Sequence, residues 1–351
     1  MKILEQMREH VRSRGLAQNT YKTYRKWIVT YLKWLRNANG GVWLDPKLAG
    51  KPEIERWLSE MANRRNVSST TQNLALQSVL YMYRNILRIN IEGVNALRAK
   101  PPQKLPVVLS EEEAASILAR LSGPSRLVAE LMYGCGLRIS EACSLRIKDI
   151  DFEREQMAIR AAKGNKDRFV SFPSELHERV ASQIRSAKVV WQIDLDNGYN
   201  GVSLPFAFGR KSPSAHRDFN WYYLFPSGNQ SRCPITNQLL RHHIDKDNIG
   251  RNITTAAKQA GISKRVTSHT LRHSYATYLL ENNVDLRTIQ KLLGHANVET
   301  TEIYTHVDRR RATATISPVS ALQKILSDPS IAVSNRVDQC EAVPKLKVYA
   351  G

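Results

Sequence analysis

The chain has 351 residues, 42% of them hydrophobic, with 52 Lys and Arg against 32 Asp and Glu, a formal charge of +20. That length accommodates two or three domains with sizeable cores, and the charge excess points to an anionic polymer, nucleic acid ahead of a membrane surface. No apolar run approaches the ~20 residues that span a bilayer, and "MKILEQMREH" lacks the apolar centre of a secretory signal. Cys135, Cys143, Cys233 and Cys340 form no C-x-x-C pair, which argues against a zinc ribbon or a disulfide framework and makes a reducing cytosol the simplest compartment.

Residues 1–97 read as all-helical. Tyr21, Tyr24, Ile28, Tyr31 and Leu35 keep a helical period behind a cap at Asn19 or Thr20. Ile54, Trp57, Leu58 and Met61 mark another helix; Leu76, Val79, Leu80, Tyr83, Ile86 and Leu87 mark a third, behind Ser68 and Ser69. Lys22, Arg25, Lys26, Lys33, Arg64, Arg65, Arg84 and Arg88 rim this bundle, a DNA-facing surface in so basic a chain. Residues 98–106, "RAKPPQKLP", predict an extended linker, because proline removes donors and disfavours helix before it; its charge suits a phosphate backbone.

A second domain opens at residue 107. Ser110 and Glu113 form a capping box before an apolar run, and helices follow to about Lys148. "MAIRAAKGNKDRFVSF" predicts a hairpin about Gly164-Asn165. The chain is helical again from Glu175, apart from residues 197–231, which are rich in Gly, Pro, Asn and aromatics and read as an inserted loop region. Beyond residue 317 periodicity fades, which predicts a loose tail over 318–351.

Five motifs carry chemistry. Arg138 follows a glycine-bounded turn in "GCGLRISE", and Lys163 sits at the hairpin turn. In "SHTLRHSY", His269 and Arg272 stand at i and i+3 on one helix face, while Leu271 and Tyr275 take the other. His295 lies in "LLGH" and Tyr304 in "TEIYTHV". Singly, each has an ordinary structural role: Arg138 pairing with Glu141, Lys163 as a solvated turn lysine, Tyr304 as a half-buried ring with a wet hydroxyl. Together they suit phosphoryl transfer. Guanidinium forks bind phosphate oxygens, fixed cations stabilise the charge that grows there, histidines move or donate protons, and a tyrosine hydroxyl can act as nucleophile. No carboxylate cluster suits Mg²⁺, so no metal or other cofactor is expected.

"GLRISE", "KGNKDR", "HTLRHSYAT" and "LLGHANVETTEIYTHV", in that order, resemble the tyrosine recombinase (phage integrase) family over residues 4–310. The resemblance implies a mainly α fold with a small β-sheet (α+β), closing as a two-domain C-shaped clamp on DNA. Residues 1–97 would be the SAM-like, core-binding domain, 98–106 the linker, 107–317 the catalytic domain and 318–351 the tail. It implies catalytic roles for Arg138, Lys163, His269, Arg272, His295 and Tyr304, with Tyr304 forming a 3′-phosphotyrosine, and a homotetramer working on two DNA sites in a bacterial cytoplasm.

The segment at about 197–249, with "LP", "WYYLFPS" and "LRHH", resembles the insertion of integron integrases. That resemblance implies a folded, single-stranded attC-like hairpin as the site at which gene cassettes are inserted and excised. Trp221, Pro234, His242 and His243 are the candidates for its extrahelical bases, which stack on aromatic faces. Tyr223 and Phe225 read as core. A zinc site using Cys233 ranks lower, since adjacent histidines on a helix seldom chelate together. The alternatives are a Xer- or phage-type recombinase on duplex sites, a type IB topoisomerase, and a catalytically silent DNA-binding relative, against which the intact catalytic positions argue.

Counterion release sets the first expectation. DNA affinity should fall by about three orders of magnitude or more between about 50 and 200 mM salt. A salt titration by fluorescence anisotropy checks this, and a flat affinity would point away from phosphate contacts.

Overall fold

The structure, a computed structural model, describes residues 2–16, 18–65, 67–94, 106–162, 166–199, 201–233 and 237–294, with Val319 and Leu322. The chain divides into two compact units, residues 1–104 and 105–351. The fold is mainly helical with two small antiparallel sheets. No helix among the described residues is long and apolar enough to cross a membrane.

The first unit holds α1 (Lys2–Ser13), α2 (Gln18–Ala38), α3 (Lys51–Arg65) and α4 (Ser69–Tyr81), the last running into a π-helical turn, Met82–Leu87. Ser68 caps α4 by accepting from the Thr71 amide. Ile28, Tyr31, Leu35, Ile54, Trp57, Leu58, Leu76, Val79 and Tyr83 form one core, as their periodicity predicts. Helix α1 was not singled out by its sequence, yet Met7 and Val11, one turn apart, are buried in the same core. Two buried hydroxyls, Tyr31 and Tyr83, share a hydrogen bond of 3.2 Å, and Tyr83 also donates to the Pro46 carbonyl at 2.9 Å. Pairing removes the cost of burying them alone.

In the second unit, α5 (Glu111–Ala119) starts on the expected box: Ser110 Oγ accepts from the Glu113 amide while Glu113 accepts from the Ser110 amide. Helix α6 (Gly123–Cys135) packs on α11 (Ser268–Glu281), whose Leu271 lies in the main core while Tyr275, Ala276, Leu279 and Leu280 form a second cluster with Ile289 and Leu293. Gly136 ends α6 at φ +65°, and the Tyr275 ring lies 2.5 Å from where a Cβ would stand, so both backbone and space require glycine. The short α7 (Ile139–Cys143) follows. Strands β1 (Ile150–Asp151), β2 (Gln156–Ala162) and β3 (Lys166–Ser171) make an antiparallel sheet in chain order, its β2–β3 pair being the predicted hairpin. Helix α8 (His177–Asp196) leads out of this sheet.

Two expectations are corrected here. The segment expected as an inserted loop region is built: α9 (Phe206–Lys211), two 3₁₀ turns, and a hairpin of β4 (Pro226–Arg232) and β5 (Leu239–His243). A buried ion pair holds it. Asp194 of α8 accepts from Arg241 of β5 through both carboxylate oxygens, and also from the Tyr222 hydroxyl and the Gln230 amide. Backbone bonds tie it to the core, Leu224 N to Leu145 O at 2.8 Å and Ile244 N to Phe225 O at 2.9 Å. Tyr223 and Phe225 are buried, as expected, with Tyr222 and Leu224. The second correction concerns the tail. Val319 and Leu322, three residues apart, are buried in the main core, Val319 over Gly134, where a Cβ would collide with it. The rest of 318–351 lies outside the described residues. Helices α10 (Lys246–Gln259), α11 and α12 (Leu286–Leu293) complete the unit.

Asp194→Ala would leave the Arg241 guanidinium buried without its carboxylate. It should cost about 3–5 kcal/mol of stability, read by chemical unfolding; a loss below about 1 kcal/mol, typical of an exposed pair, would contradict this account.

Candidate active site

The residues of α11 do not divide into an apolar and a solvated face. Thr270, Leu271, Arg272, Ser274, Tyr275, Ala276 and Thr277 are all buried, and Arg272 is only 4% exposed. The helix starts at Thr267, whose side chain shares a capping box with Thr270. A guanidinium so deep needs partners. Arg272 donates to the Gly136 carbonyl at 2.6 Å and to the Leu293 carbonyl, and lies 3.7 Å from Glu141 Oε2.

Glu141 is the centre of the arrangement. Arg138 Nη1 donates to its Oε1 at 2.7 Å, and the Arg138 amide donates to its Oε2 at 2.8 Å. Arg168, on β3, grips the same carboxylate with a two-pronged fork, at 2.9 and 2.7 Å. Burial alone would raise the Glu141 pKa. The hydrogen bonds and charge of Arg168, then those of Arg138, outweigh it and hold the group down at about 2. Three guanidiniums thus surround one carboxylate that is ionised at neutral pH, leaving an excess of two positive charges.

The same arginines cap α12. Its last carbonyls have no partner inside the helix. Arg168 Nε donates to Leu292 O at 2.8 Å, Arg272 Nη2 to Leu293 O, and Arg138 Nη2 to Gly294 O at 3.1 Å. The negative end of the helix dipole favours these cations. Gly294 turns out of the helix at φ +62°, and a Cβ there would stand 3.0–3.2 Å from the Arg168 side chain. That accounts for the glycine of "LLGH".

His269 stands within the electrostatic reach of this cluster. Partial desolvation, then the charges of Arg272 and Arg138, lower its pKa, which favours the neutral imidazole. His273, 6.4 Å away ring to ring, is more strongly affected: burial, then His269 and Arg272, push it down to about 4. The structure therefore brings Arg138, His269 and Arg272 together. Lys163, His295 and Tyr304 lie outside the described residues. Two of them follow directly on described residues, Lys163 after β2 and His295 after Gly294.

In the insertion, Trp221 is half-buried. Phe208 stacks on its ring at 4.3 Å between centroids, and the Lys148 ammonium lies 4.2 Å from its centre. Arg146 donates to the Trp221 carbonyl and to Ser203 O, and lies 4.5 Å from the Tyr223 ring centroid. His242 and His243 are on a strand, β5, and not on the helix expected for them. Successive strand residues face opposite ways, so the two imidazoles cannot share one base. His243 meets the Tyr223 ring edge-on at 5.4 Å and bonds the Ile244 carbonyl through Nδ1. Burial, then His243, lowers the pKa of His242. Pro234 lies outside the described residues.

Residues 107–311 match the phage integrase family, and residues 3–92 match the phage integrase N-terminal SAM-like domain. The chain belongs to the phage integrase family. An integrase/recombinase of Escherichia coli is 38% identical over 329 residues, 93% of this chain and 96% of the relative. Tyrosine recombinase XerA of Thermococcus onnurineus is 32% identical over 308 residues, 87% of this chain and 90% of the relative. Two solved structures share the fold. XerH recombinase bound to its difH substrate has a TM-score of 0.56 at 21% identity, over 88% of this chain and 82% of that one. A lambda integrase (75–356) dimer bound to a COC′ core site has a TM-score of 0.57 at 18% identity, over 90% and 98%. This integrase-family chain is a recombinase, an enzyme.

Arg168 was not foreseen. Its one signal is parity: it shares a β3 face with buried Val170, while Phe169 points out, 62% exposed. Glu141 gives a pH test. Its folded pKa is depressed, so the stability it contributes is present above its ordinary value of 4.5 and is lost as pH falls through about 2. Glu141→Gln should flatten the acid limb of unfolding across that window, and an unchanged slope would contradict this.

Proposed function

We propose that this recombinase cuts and rejoins DNA at specific sites through a 3′-phosphotyrosine, and that its sites are folded single strands of the integron type. The observation that carries the chemistry is the arginine cluster. A phosphodiester brings one negative charge and its pentavalent transition state two. An excess of two positive charges, fixed before the substrate arrives, complements the transition state better than the ground state. Arg138 and Arg272 would hold the non-bridging oxygens, exchanging their helix-end carbonyls for phosphate. Neutral His269 would accept a hydrogen bond or a proton as the Tyr304 hydroxyl attacks. Lys163, next in sequence after β2, would protonate the leaving 5′ oxygen, and His295, next after Gly294, would hydrogen-bond the phosphoryl group. The scissile bond's energy stays in the phosphotyrosine, so rejoining needs no nucleotide.

The integron reading rests on the insertion. An ordered hairpin pinned by a buried ion pair offers a preformed surface, which costs less entropy on binding than a loop that must fold. Trp221, His242, His243 and Pro234 would receive extrahelical bases, one base reaching Trp221 by taking the place of Phe208. That occupied ring favours a second reading, a Xer-type enzyme on duplex sites. In either case the protein works in a bacterial cytosol as a homo-oligomer, a tetramer on two sites.

A pool of nicked hairpins of randomised sequence and a matching duplex pool separate these readings, through the DNA captured covalently in detergent. Wild type should enrich hairpins with bulged bases, and Tyr304→Phe should capture nothing while its affinity for them stays within about threefold. Trp221→Ala and His243→Ala should each weaken binding of an enriched hairpin by about 1–3 kcal/mol and leave duplex binding unchanged. Equal losses on both would assign the protein to the duplex class. A covalent adduct with Tyr304→Phe would remove Tyr304 as nucleophile.

A further inference from the structure

We infer that Arg168 is a positioning residue for DNA cleavage, one that acts through Glu141 and the end of α12 and never through the phosphate itself. The inference rests on the recombinase chemistry proposed for Arg138 and Arg272.

Its donors show why. Three of its five N–H donors are committed, one from each of Nη1 and Nη2 to Glu141 and the one on Nε to Leu292 O. The side chain is 9% exposed. Little of the guanidinium is left to meet a substrate, whereas Arg138 is 19% exposed and directs one nitrogen to a carbonyl it can release. Arg168 also comes from a different part of the chain. It stands on β3, while Glu141 is on α7 and Leu292 on α12. One planar group therefore fixes three elements to each other: the hairpin, the helix that presents Arg138, and the helix end that precedes His295. A fork of this kind sets direction as well as distance. Gly294 leaves the room that the Arg168 stem occupies.

Lysine in its place would keep the charge and lose the fork. An ammonium cannot hold both Glu141 oxygens in one plane and also reach Leu292 O. Charge alone should thus be insufficient, and the Arg138 and Arg272 nitrogens should drift by a fraction of an ångström to an ångström. Displacements of that size slow reactions by about a hundredfold.

The test is single-turnover cleavage of one enriched nicked hairpin by wild type, Arg168→Lys, Arg168→Gln, Glu141→Gln and the double variant Glu141→Gln/Arg168→Gln. Both Arg168 variants should cleave about a hundredfold more slowly, with hairpin affinity within about threefold of wild type. The double variant should be slower than Glu141→Gln by far less than about a hundredfold, because the part of Arg168's action that runs through Glu141 has nothing further to lose and only the Leu292 bond remains. With a neutral methylphosphonate at the scissile position, less charge needs stabilising, and the Arg168→Lys defect should shrink to about tenfold or less. Should Arg168→Gln fail to fold, the lysine variant and Glu141→Gln carry the comparison. Wild-type rates in Arg168→Lys, additive losses in the double variant, or equal defects on both substrates would overturn the inference. Absence of cleavage by wild type would instead overturn the recombinase reading of the site.

Discussion

One buried carboxylate among three guanidiniums governs the rest of this structure. Glu141 is 8% exposed, and without Arg138, Arg168 and Arg272 around it burial would neutralise it. Without Glu141, three guanidiniums crowded at the end of one helix would repel each other, and Arg272 would lose its nearest carboxylate at almost complete burial. Each partner is tolerable only because the other is present. The surplus of positive charge that remains is what a phosphodiester can use.

The surrounding fold serves that balance. Gly136 ends α6 in a left-handed turn and gives the Tyr275 ring its place, which sets Arg138 at the start of α7. The end of α12 contributes carbonyls where ordinary helices leave them to water, and three arginines from three different elements take one each. The helix end is thereby fixed relative to α7, α11 and β3. The insertion follows the same logic on a smaller scale. Asp194 and Arg241 are both nearly inaccessible, and their pairing lets a polar, glycine-containing hairpin fold as a fixed part of the domain.

Much of this was legible in the residues. The helical periods of the first unit, the Ser110–Glu113 box and the β2–β3 hairpin follow from local rules, and the structure has them where the pattern puts them. The pairing of Arg138 with Glu141 is also local, three residues apart in one turn. What was not legible depends on partners distant in sequence. Arg168 carries only the parity it shares with Val170, and the distant Glu141 that makes its burial possible is not visible from β3. Arg272 looks like part of a wet helix face until the Leu293 and Gly136 carbonyls are brought to it. The insertion looks like a loop because β4 carries Ser, Gly, Asn and Gln rather than alternating apolar residues; its order comes from Asp194, which lies in another element. Val319 and Leu322 look like tail because too few periodic residues flank them, and Gly134 on α6 supplies the notch that buries Val319.

The most direct measurement is a crystal structure of the enzyme with a nicked cognate hairpin and orthovanadate, which mimics the pentavalent phosphorus. The account predicts vanadate oxygens within hydrogen-bond distance of Arg138 and Arg272, with Arg168 still forked on Glu141 and bonded to Leu292 O. Vanadate bound elsewhere, with Arg138 and Arg272 still capping Gly294 and Leu293, would contradict it.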